Sequence, residues 1–514
     1  MTYLVKEKKD QSVEITSPEN EVTNFYPDNN LEKSKELLSL FNNLETIEGK
    51  KLYEYWVIDD FYILPALQEW LFWEVFVGKV SHKKTIDFLK NKKYKILKSK
   101  FWVVGRIARW IRFKKKNHNF IKRFSYNFLA SLLRSRFKYR ASLLIHDDGY
   151  DGFRFKKIKE TLKKNILFHR TERMKPRQFK RLFFDRNIFV QGSYYIFEKN
   201  KEPILREKIP NKLRDYFSEN DIKIIINKIN KRYLNLRSEV KVLKKFLKNK
   251  KINHLLSYDQ VEECLALLIV FKSLKRKSLS YQHGPLTDYH SGWIGFGIPK
   301  VFCNLVPNQL ILWGSFWRDF IINKSNKYNN ENTIVGPHLN KIIDYENFLD
   351  FQLPKKEINV LVPFEFLANN IQVSQYLEKL INMNWNITIK LRPNGDINSD
   401  HEAFSLEVQK KANFVMDLSK EQLSKFNIVI FTQSVFAIEL MYLNIPLWYL
   451  ETDFNFLNLF AKKKLAHKID LVTLDKISKN KNILNEYLKP LHTLEDYKKI
   501  FFDKPLIEIE DHIF

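Results

Sequence analysis

From residue 277 to residue 450 the chain repeatedly gives up a short apolar run for a glycine, a proline or a small polar residue. Tyr281-Gln282-His283-Gly284-Pro285, Val335-Gly336-Pro337-His338, Lys390-Leu391-Arg392-Pro393 and Phe431-Thr432-Gln433-Ser434 all have this form. Between the runs lie segments with helical spacing of their apolar residues. Short apolar runs alternating with helices specify a parallel sheet covered on both faces. In open sheets of that kind, ligands bind outside the carboxyl ends of the strands. All four motifs fall at such ends.

At 514 residues the chain is too long for one hydrophobic core, and two domains plus an appendage are expected. The pattern predicts strands at 141–145, 165–168, 254–258, 277–282, 309–313 and 333–335. After Pro354-Lys355-Lys356 it predicts a second set at 359–363, 386–391, 428–432 and 446–450. The fold class expected is α/β, two doubly wound Rossmann-like domains facing each other across a cleft, with an N-terminal basic helical region. The boundaries read as a polar, disordered tail over 1–30 and a basic, mainly helical region over 31–140, with a strand at 53–59. An acceptor domain follows over 141–345, a nucleotide-donor domain over 346–475, and helices that pack back over 476–514.

The net charge of +28 is uneven. No acidic residue lies between Asp87 and Asp147, while 18 Lys or Arg do; removing those 18 charges leaves +10 for the rest. Trp102, Arg106, Trp110, Ile107 and Ile111 follow helical spacing there, the composition of an interfacial amphipathic segment seeking an anionic membrane surface. Residues 61–80 are apolar but interrupted by Pro65, Gln68, Glu69 and Glu74, so no membrane span is expected. The two cysteines, Cys264 and Cys303, form no framework or metal spacing, and the polar N-terminus has no secretory h-region. A cytoplasmic location at the inner membrane face follows. There is no Gly-rich dinucleotide fingerprint, no P-loop and no zinc spacing. No metal and no cofactor are expected beyond a nucleotide-activated sugar as substrate, and no nucleic-acid partner.

The residue types at the strand ends suit an anionic ligand. His283 has a reference pKa near neutrality and can accept a proton from an attacking hydroxyl, beside Gln282 and Gly284, whose φ freedom permits a close approach. Lys390 and Arg392 project to the same side of their strand end and suit a leaving phosphate. Ser434 precedes a helix, where backbone N–H groups and the helix dipole together make an anion site. Gln433 accompanies it, and Glu439, one turn on, can accept from a sugar hydroxyl. Asp147 and Asp148, followed by Gly149, form a carboxylate pair in which one pKa can rise into the range of a general base. Asp288 and His290 suit an acceptor pocket.

The order of these motifs resembles the GT-B glycosyltransferases of bacterial surface polysaccharides. Within that group it is nearest to the teichoic acid glycerophosphotransferases and the capsular Kdo and sialic acid transferases. The resemblance covers about residues 255–455, with weaker support from 141. It implies His283 as the base, Arg392-Pro393 in place of a His-Pro phosphate contact, and Ser434 in a donor motif. Asp148 is a competing base, as the counterpart of an acidic-acidic-Gly motif; His283 is favoured. The function expected is metal-independent transfer from a nucleotide-activated sugar to a glycan or lipid-linked hydroxyl. The rivals are a non-catalytic binding protein on the same fold and a nucleic-acid-binding protein using the basic helices.

Overall fold

The computed structural model describes residues 2–8, 12–97, 110, 142–146, 166–170, 188–190, 202–206, 208–258, 264–282, 284–336, 357–365, 369–392, 397–453 and 457–501. The chain divides into two units. The C-terminal unit comprises Met1–Leu31, Val77–Arg112 and Asp344–Lys499; the central unit comprises Glu32–Phe76, Phe113–Ile343 and Ile500–Phe514.

The N-terminal residues are not a tail. Strands β1 (Tyr3–Glu7), β2 (Val13–Thr16) and β3 (Val22–Phe25) form an antiparallel meander. Val5, Val13 and Ile15 are completely or almost completely buried on its inner face. Alternation along a half-buried strand needs only every second residue to be apolar, so the outward charges of Lys6 and Glu14 made this segment look soluble throughout. The strand expected at 53–59 is instead the helical turn Leu52–Tyr55, opened by a capping box in which the Lys51 N–H donates to Glu54 Oε1 at 3.1 Å. The hairpin β4 (Val57–Ile58) and β5 (Phe61–Tyr62) follows. Strand β6 (Tyr94–Ile96) pairs in parallel with β1, inside the region read as helical. Residues 31–140 are thus not one domain: 32–76 belong to the central unit and 77–112 to the C-terminal unit. Of the basic stretch beyond residue 97 only Trp110 is described. It is buried, with the Lys79 ammonium 5.2 Å from its ring centroid.

The central unit is built on β7 (Leu143–His146), β8 (Ile166–Arg170), β9 (Ile188–Val190), β10 (His254–Tyr258), β11 (Lys277–Tyr281), β12 (Gln309–Leu312) and β13 (Thr333–Val335). All pair in parallel, in the order β13-β12-β11-β10-β7-β8-β9. The strand order reverses between β7 and β10. The 29-residue helix Glu219–Leu247 precedes β10. It opens on a Ser218/Asp221 capping box and buries Ile222, Ile225, Ile229, Leu236 and Leu243 at helical spacing.

The C-terminal unit carries β14 (Asn359–Pro363), β15 (Asn386–Lys390), β16 (Asn413–Val415), β17 (Ile428–Phe431), β18 (Leu447–Leu450) and β19 (His467–Ile469). The sheet is wholly parallel, in the order β16-β15-β14-β17-β18-β19. That is the doubly wound order 3-2-1-4-5-6, with its switch point between β14 and β17. Every residue of β17 and β18 is buried, as expected of strands covered on both faces. Helix Asn370–Asn382, capped by Asn369 accepting from the Gln372 N–H, covers one face with Val373, Tyr376, Leu377, Leu380 and Ile381. Trp385 and Trp448 pack in the same core at 5.7 Å between centroids. The protein therefore has the α/β fold class read from its sequence, with two doubly wound sheets.

Candidate functional site

In the C-terminal sheet three strand ends converge on the switch point. β14 runs into Phe364 and Glu365, β15 into Leu391 and Arg392, and β17 into Thr432, Gln433 and Ser434. The Lys390 ammonium lies 5.0 Å from the ring centroid of Phe436, two residues into the helix that Ser434 precedes. The Arg392 guanidinium lies 5.4 Å from the Phe364 ring. The structure thus brings Lys390, Arg392 and the Ser434 turn together, with Glu365 among them.

Glu365 is the residue that the sequence reading missed, and it changes the site. Its carboxylate accepts from the Thr432 N–H at 3.0 and 3.1 Å, from the Thr432 hydroxyl, from the Gln433 N–H at 2.8 Å and from the Ser434 N–H at 2.5 Å. These are the donors expected to hold a ligand anion. A carboxylate of the chain itself already occupies that nest, so the backbone half of the predicted anion site is corrected. Burial pushes the Glu365 carboxyl up, and the hydrogen bonds from Thr432, Gln433 and Ser434 oppose that shift without reversing it. The Ser434 hydroxyl makes no capping bond, so it does not serve as the expected helix cap. The signal for Glu365 was available: it follows an apolar strand at a switch point, the same logic that selected Thr432. A carboxylate there reads as a ligand contact, however, and only the fold turns it back onto its own backbone.

Positive charge remains. Lys390 is half-buried, and burial pushes its ammonium down while the Asp417 charge holds the proton on it. Arg392 is tied to the buried Asp400, Nη2 to Oδ1 3.3 Å, which fixes one edge of the guanidinium and lowers the net charge it offers. Asp400 lies eight residues beyond Arg392 in the chain, with no strand-end signal to mark it. Gln433 and Glu439 are partly exposed, and the Glu439 carbonyl accepts from the Tyr497 hydroxyl at 3.4 Å.

In the central unit, Asp147 and Asp148 follow directly on β7 at the switch point, and His283 follows β11; all three lie outside the described residues. Gln282 is described and is 1 % exposed. Its Nε2 donates to the Gly284 carbonyl at 2.8 Å, its Oε1 accepts from the Trp313 N–H at 3.0 Å, and its carbonyl accepts from Trp313 Nε1 at 2.8 Å. Both ends of its amide thus bind the protein itself, which makes Gln282 a tie between Gly284 and Trp313 and not a donor contact. Gly284 does not adopt positive φ, and a Cβ there would meet nothing within 4 Å. Gly336 is required by packing: a Cβ would come within 2.5 Å of Ile311 Cγ2.

Asp288 stands in the wall of a cavity of about 420 Å³ in the same unit, paired with Lys324 at 3.2 Å, with Ser39, Phe296 and Gly297 also lining it. His290 is not a wall residue. Its Nδ1 lies 3.2 Å from the Thr287 N–H and 3.3 Å from the Thr287 hydroxyl, ordering the turn before helix Ser291–Ile294. Among the described residues no group of His, Cys, Asp or Glu could hold a metal ion, and no helix is long and apolar enough to cross a membrane. Neither Cys264 nor Cys303 is in a disulfide, and both are buried.

No protein-family model and no curated protein matches the chain. Solved structures do match. MurG of Acinetobacter baumannii is 10% identical with a TM-score of 0.43, over 73% of this chain and 99% of that one. The glycotransferase of kitacinnamycin is 10% identical with a TM-score of 0.41, over 73% and 100%. Anabaena Alr3699/HepE, solved with UDP and glucose, is 10% identical with a TM-score of 0.38, over 73% and 98%. Likeness at this level carries no argument about the site.

Proposed function

We propose that the protein is a glycosyltransferase that moves a sugar or related group from a nucleotide-activated donor to a hydroxyl of a surface glycan or lipid-linked acceptor. One observation carries the reading: Lys390, Arg392 and the turn at Ser434 lie at neighbouring strand ends about the switch point of a doubly wound sheet, where such sheets bind ligands. In the reaction the acceptor oxygen forms a bond to the anomeric carbon. The bond from that carbon to the phosphate oxygen breaks, and the nucleotide leaves with the electron pair. His283, or Asp148, takes the acceptor proton. Because Glu365 already fills the backbone nest, the charge on the leaving phosphate falls to Lys390 and Arg392, in a transfer that uses no metal. Phe436 and Phe364 place a ring beside each of these cations. In this reading the basic 90–140 stretch holds the enzyme at an anionic membrane surface on the cytoplasmic side.

A specific observation favours a second reading, a non-catalytic protein on the same fold: the nest is occupied by Glu365 and Arg392 is held by Asp400. Calorimetric titration and thermal shift with CMP, CDP, UDP, GDP and dTDP separate the two. Selective binding of one nucleotide, weakened at least tenfold by Arg392→Ala and by Ser434→Ala, supports the transferase; each substitution removes a charge-assisted or neutral contact worth ~1–3 kcal/mol. A folded wild type that binds none of the five refutes it.

A further inference from the structure

The N-terminal segment does not end at its own sheet. Beyond β3 the Asp28 N–H donates to the Ser81 carbonyl at 2.9 Å. Asn29, 9 % exposed, then donates from Nδ2 to Asp453 Oδ2 at 2.8 Å, 424 positions along the chain. Both residues lie in the C-terminal unit. Asp453 stands three residues past Leu450, the carboxyl end of β18, the strand that pairs with β17. Its own N–H donates to Gln372 Oε1 at 3.0 Å. Gln372 is in the first turn of helix Asn370–Asn382, where Asn370 Nδ2 donates to the Glu365 carbonyl at 3.2 Å. The N-terminal segment is therefore tied, through Asp453 and one helical turn, to the residue that fills the Thr432 nest. That is the edge at which such sheets bind ligands.

Anchoring the segment does not explain this arrangement. Val5, Val13 and Ile15 already bury the meander, and a bond at a surface carboxylate adds little stability. Asp453 is exposed, and holding its side chain by one bond and its N–H by another gives up conformational freedom. The charge along this edge is also divided. Lys390 and Arg392 stand at the end of β15, on one side of the β14–β17 switch point, and Asp453 follows β18, on the other. A carboxylate repels phosphate, so Asp453 suits the uncharged part of a ligand whose phosphate lies against the two cations. A carboxylate accepts strongly from hydroxyl groups, and such a bond weakens steeply when its geometry slips. Holding Asp453 still serves that contact.

We propose that Asn29 is a positioning residue, holding Asp453 so that its carboxylate accepts from the hydroxyl groups of a sugar. The assignment rests on the transferase reading. The shared chemistry is a sugar diol next to a phosphate, and the diol belongs either to the ribose of the nucleotide or to the group transferred.

The test is calorimetric titration of the full chain with four probes. They are the nucleotide among the five that binds wild type, its 2′,3′-dideoxy analogue, the matching nucleotide-sugar (CMP-N-acetylneuraminate, CDP-glucose, UDP-glucose, GDP-mannose or dTDP-glucose) and pyrophosphate. Asp453→Asn and Asn29→Ala should each weaken the nucleotide or the nucleotide-sugar about tenfold. Neither should weaken pyrophosphate, which carries no diol. A loss for the nucleotide that its dideoxy analogue does not share names the ribose; a loss confined to the nucleotide-sugar names the transferred group. In the Asp453→Asn background, Asn29→Ala should add little, because its effect runs through that carboxylate. Val22→Ala, on the exposed edge of the same meander, should leave every affinity unchanged. Folded variants with unchanged affinity for both nucleotide and nucleotide-sugar, an equal loss for pyrophosphate, or additive effects in the double variant would overturn the assignment. A wild type that binds none of the nucleotides or nucleotide-sugars instead refutes the transferase reading, and this assignment falls with it.

Discussion

Glu365→Ala tests whether the carboxylate is what holds the β17 turn. The substitution strands four donors: the Thr432 N–H and hydroxyl, the Gln433 N–H and the Ser434 N–H. Thr432 is 1 % exposed, so its two groups have no ready access to water, while Gln433 and Ser434 are partly exposed and can hydrate. Two buried donors at ~1–3 kcal/mol each, less the relief of no longer burying a charge, give a net loss of about 3 kcal/mol. Glu365→Gln keeps one acceptor and the shape, and should cost less, about 2 kcal/mol. Urea unfolding followed by the fluorescence of Trp385 and Trp448 reads this loss. The emptied nest should then behave as an anion site. Pyrophosphate should raise the melting temperature of Glu365→Ala by more than that of wild type, by ~2.7 kcal/mol at a hundredfold excess over its Kd. A Glu365→Ala variant within 0.5 kcal/mol of wild type, taken as the ordinary range of a surface change, would refute the view that the carboxylate substitutes for a ligand. Equal pyrophosphate shifts in the two proteins would refute the anion-site half.

Three further outcomes follow from the same reasoning. Gln282→Ala removes the partners of the Trp313 N–H and the Gly284 carbonyl, and should destabilise the protein by about 2 kcal/mol in urea while leaving nucleotide affinity unchanged; a selective loss of nucleotide binding would restore it as a donor contact. Gly297 has a φ of +66°, and a Cβ there would fall 2.0 Å from Ser39 Oγ and 3.0 Å from Ser39 Cα, so Gly297→Ala should cost ~3 kcal/mol or more by thermal unfolding, and a neutral result would mean the helix carrying Ser39 is free to shift. His492 is 3 % exposed and burial pushes its pKa down to about 4, against carbonyls of Met441 and Leu465 that favour the proton. Between pH 6.5 and 4 the unfolded chain therefore binds one more proton than the folded one, so this contribution is complete above pH 6.5 and lost as pH falls toward 4, by about 3 kcal/mol in all. The difference in urea midpoint between wild type and His492→Gln should shrink over that range; parallel pH profiles would refute the assignment.

The sequence by itself marked most strands of the two parallel sheets, and missed the short edge strands β9, β16 and β19. β10, β13 and β14 match the expected strands residue for residue, because each is a short, largely apolar run of strand length bounded by polar or turn residues. It also placed Lys390, Arg392 and Ser434 at strand ends, since the break from apolar to polar is a local signal. The sequence could not determine where strands β1–β3 would find a core, because their pattern is short and half polar and burial comes from the partners. Nor could it tell a free anion nest from a filled one. The Thr432-Gln433-Ser434 turn has the same residues in either case, and what fills it is Glu365, 67 positions from Thr432 in the chain. Gln282 likewise reads as a ligand contact until Trp313 is beside it, 31 positions away. Strand ends are written in local composition. Which polar group a buried donor meets there is decided by chain crossovers, and only the tertiary structure fixes those.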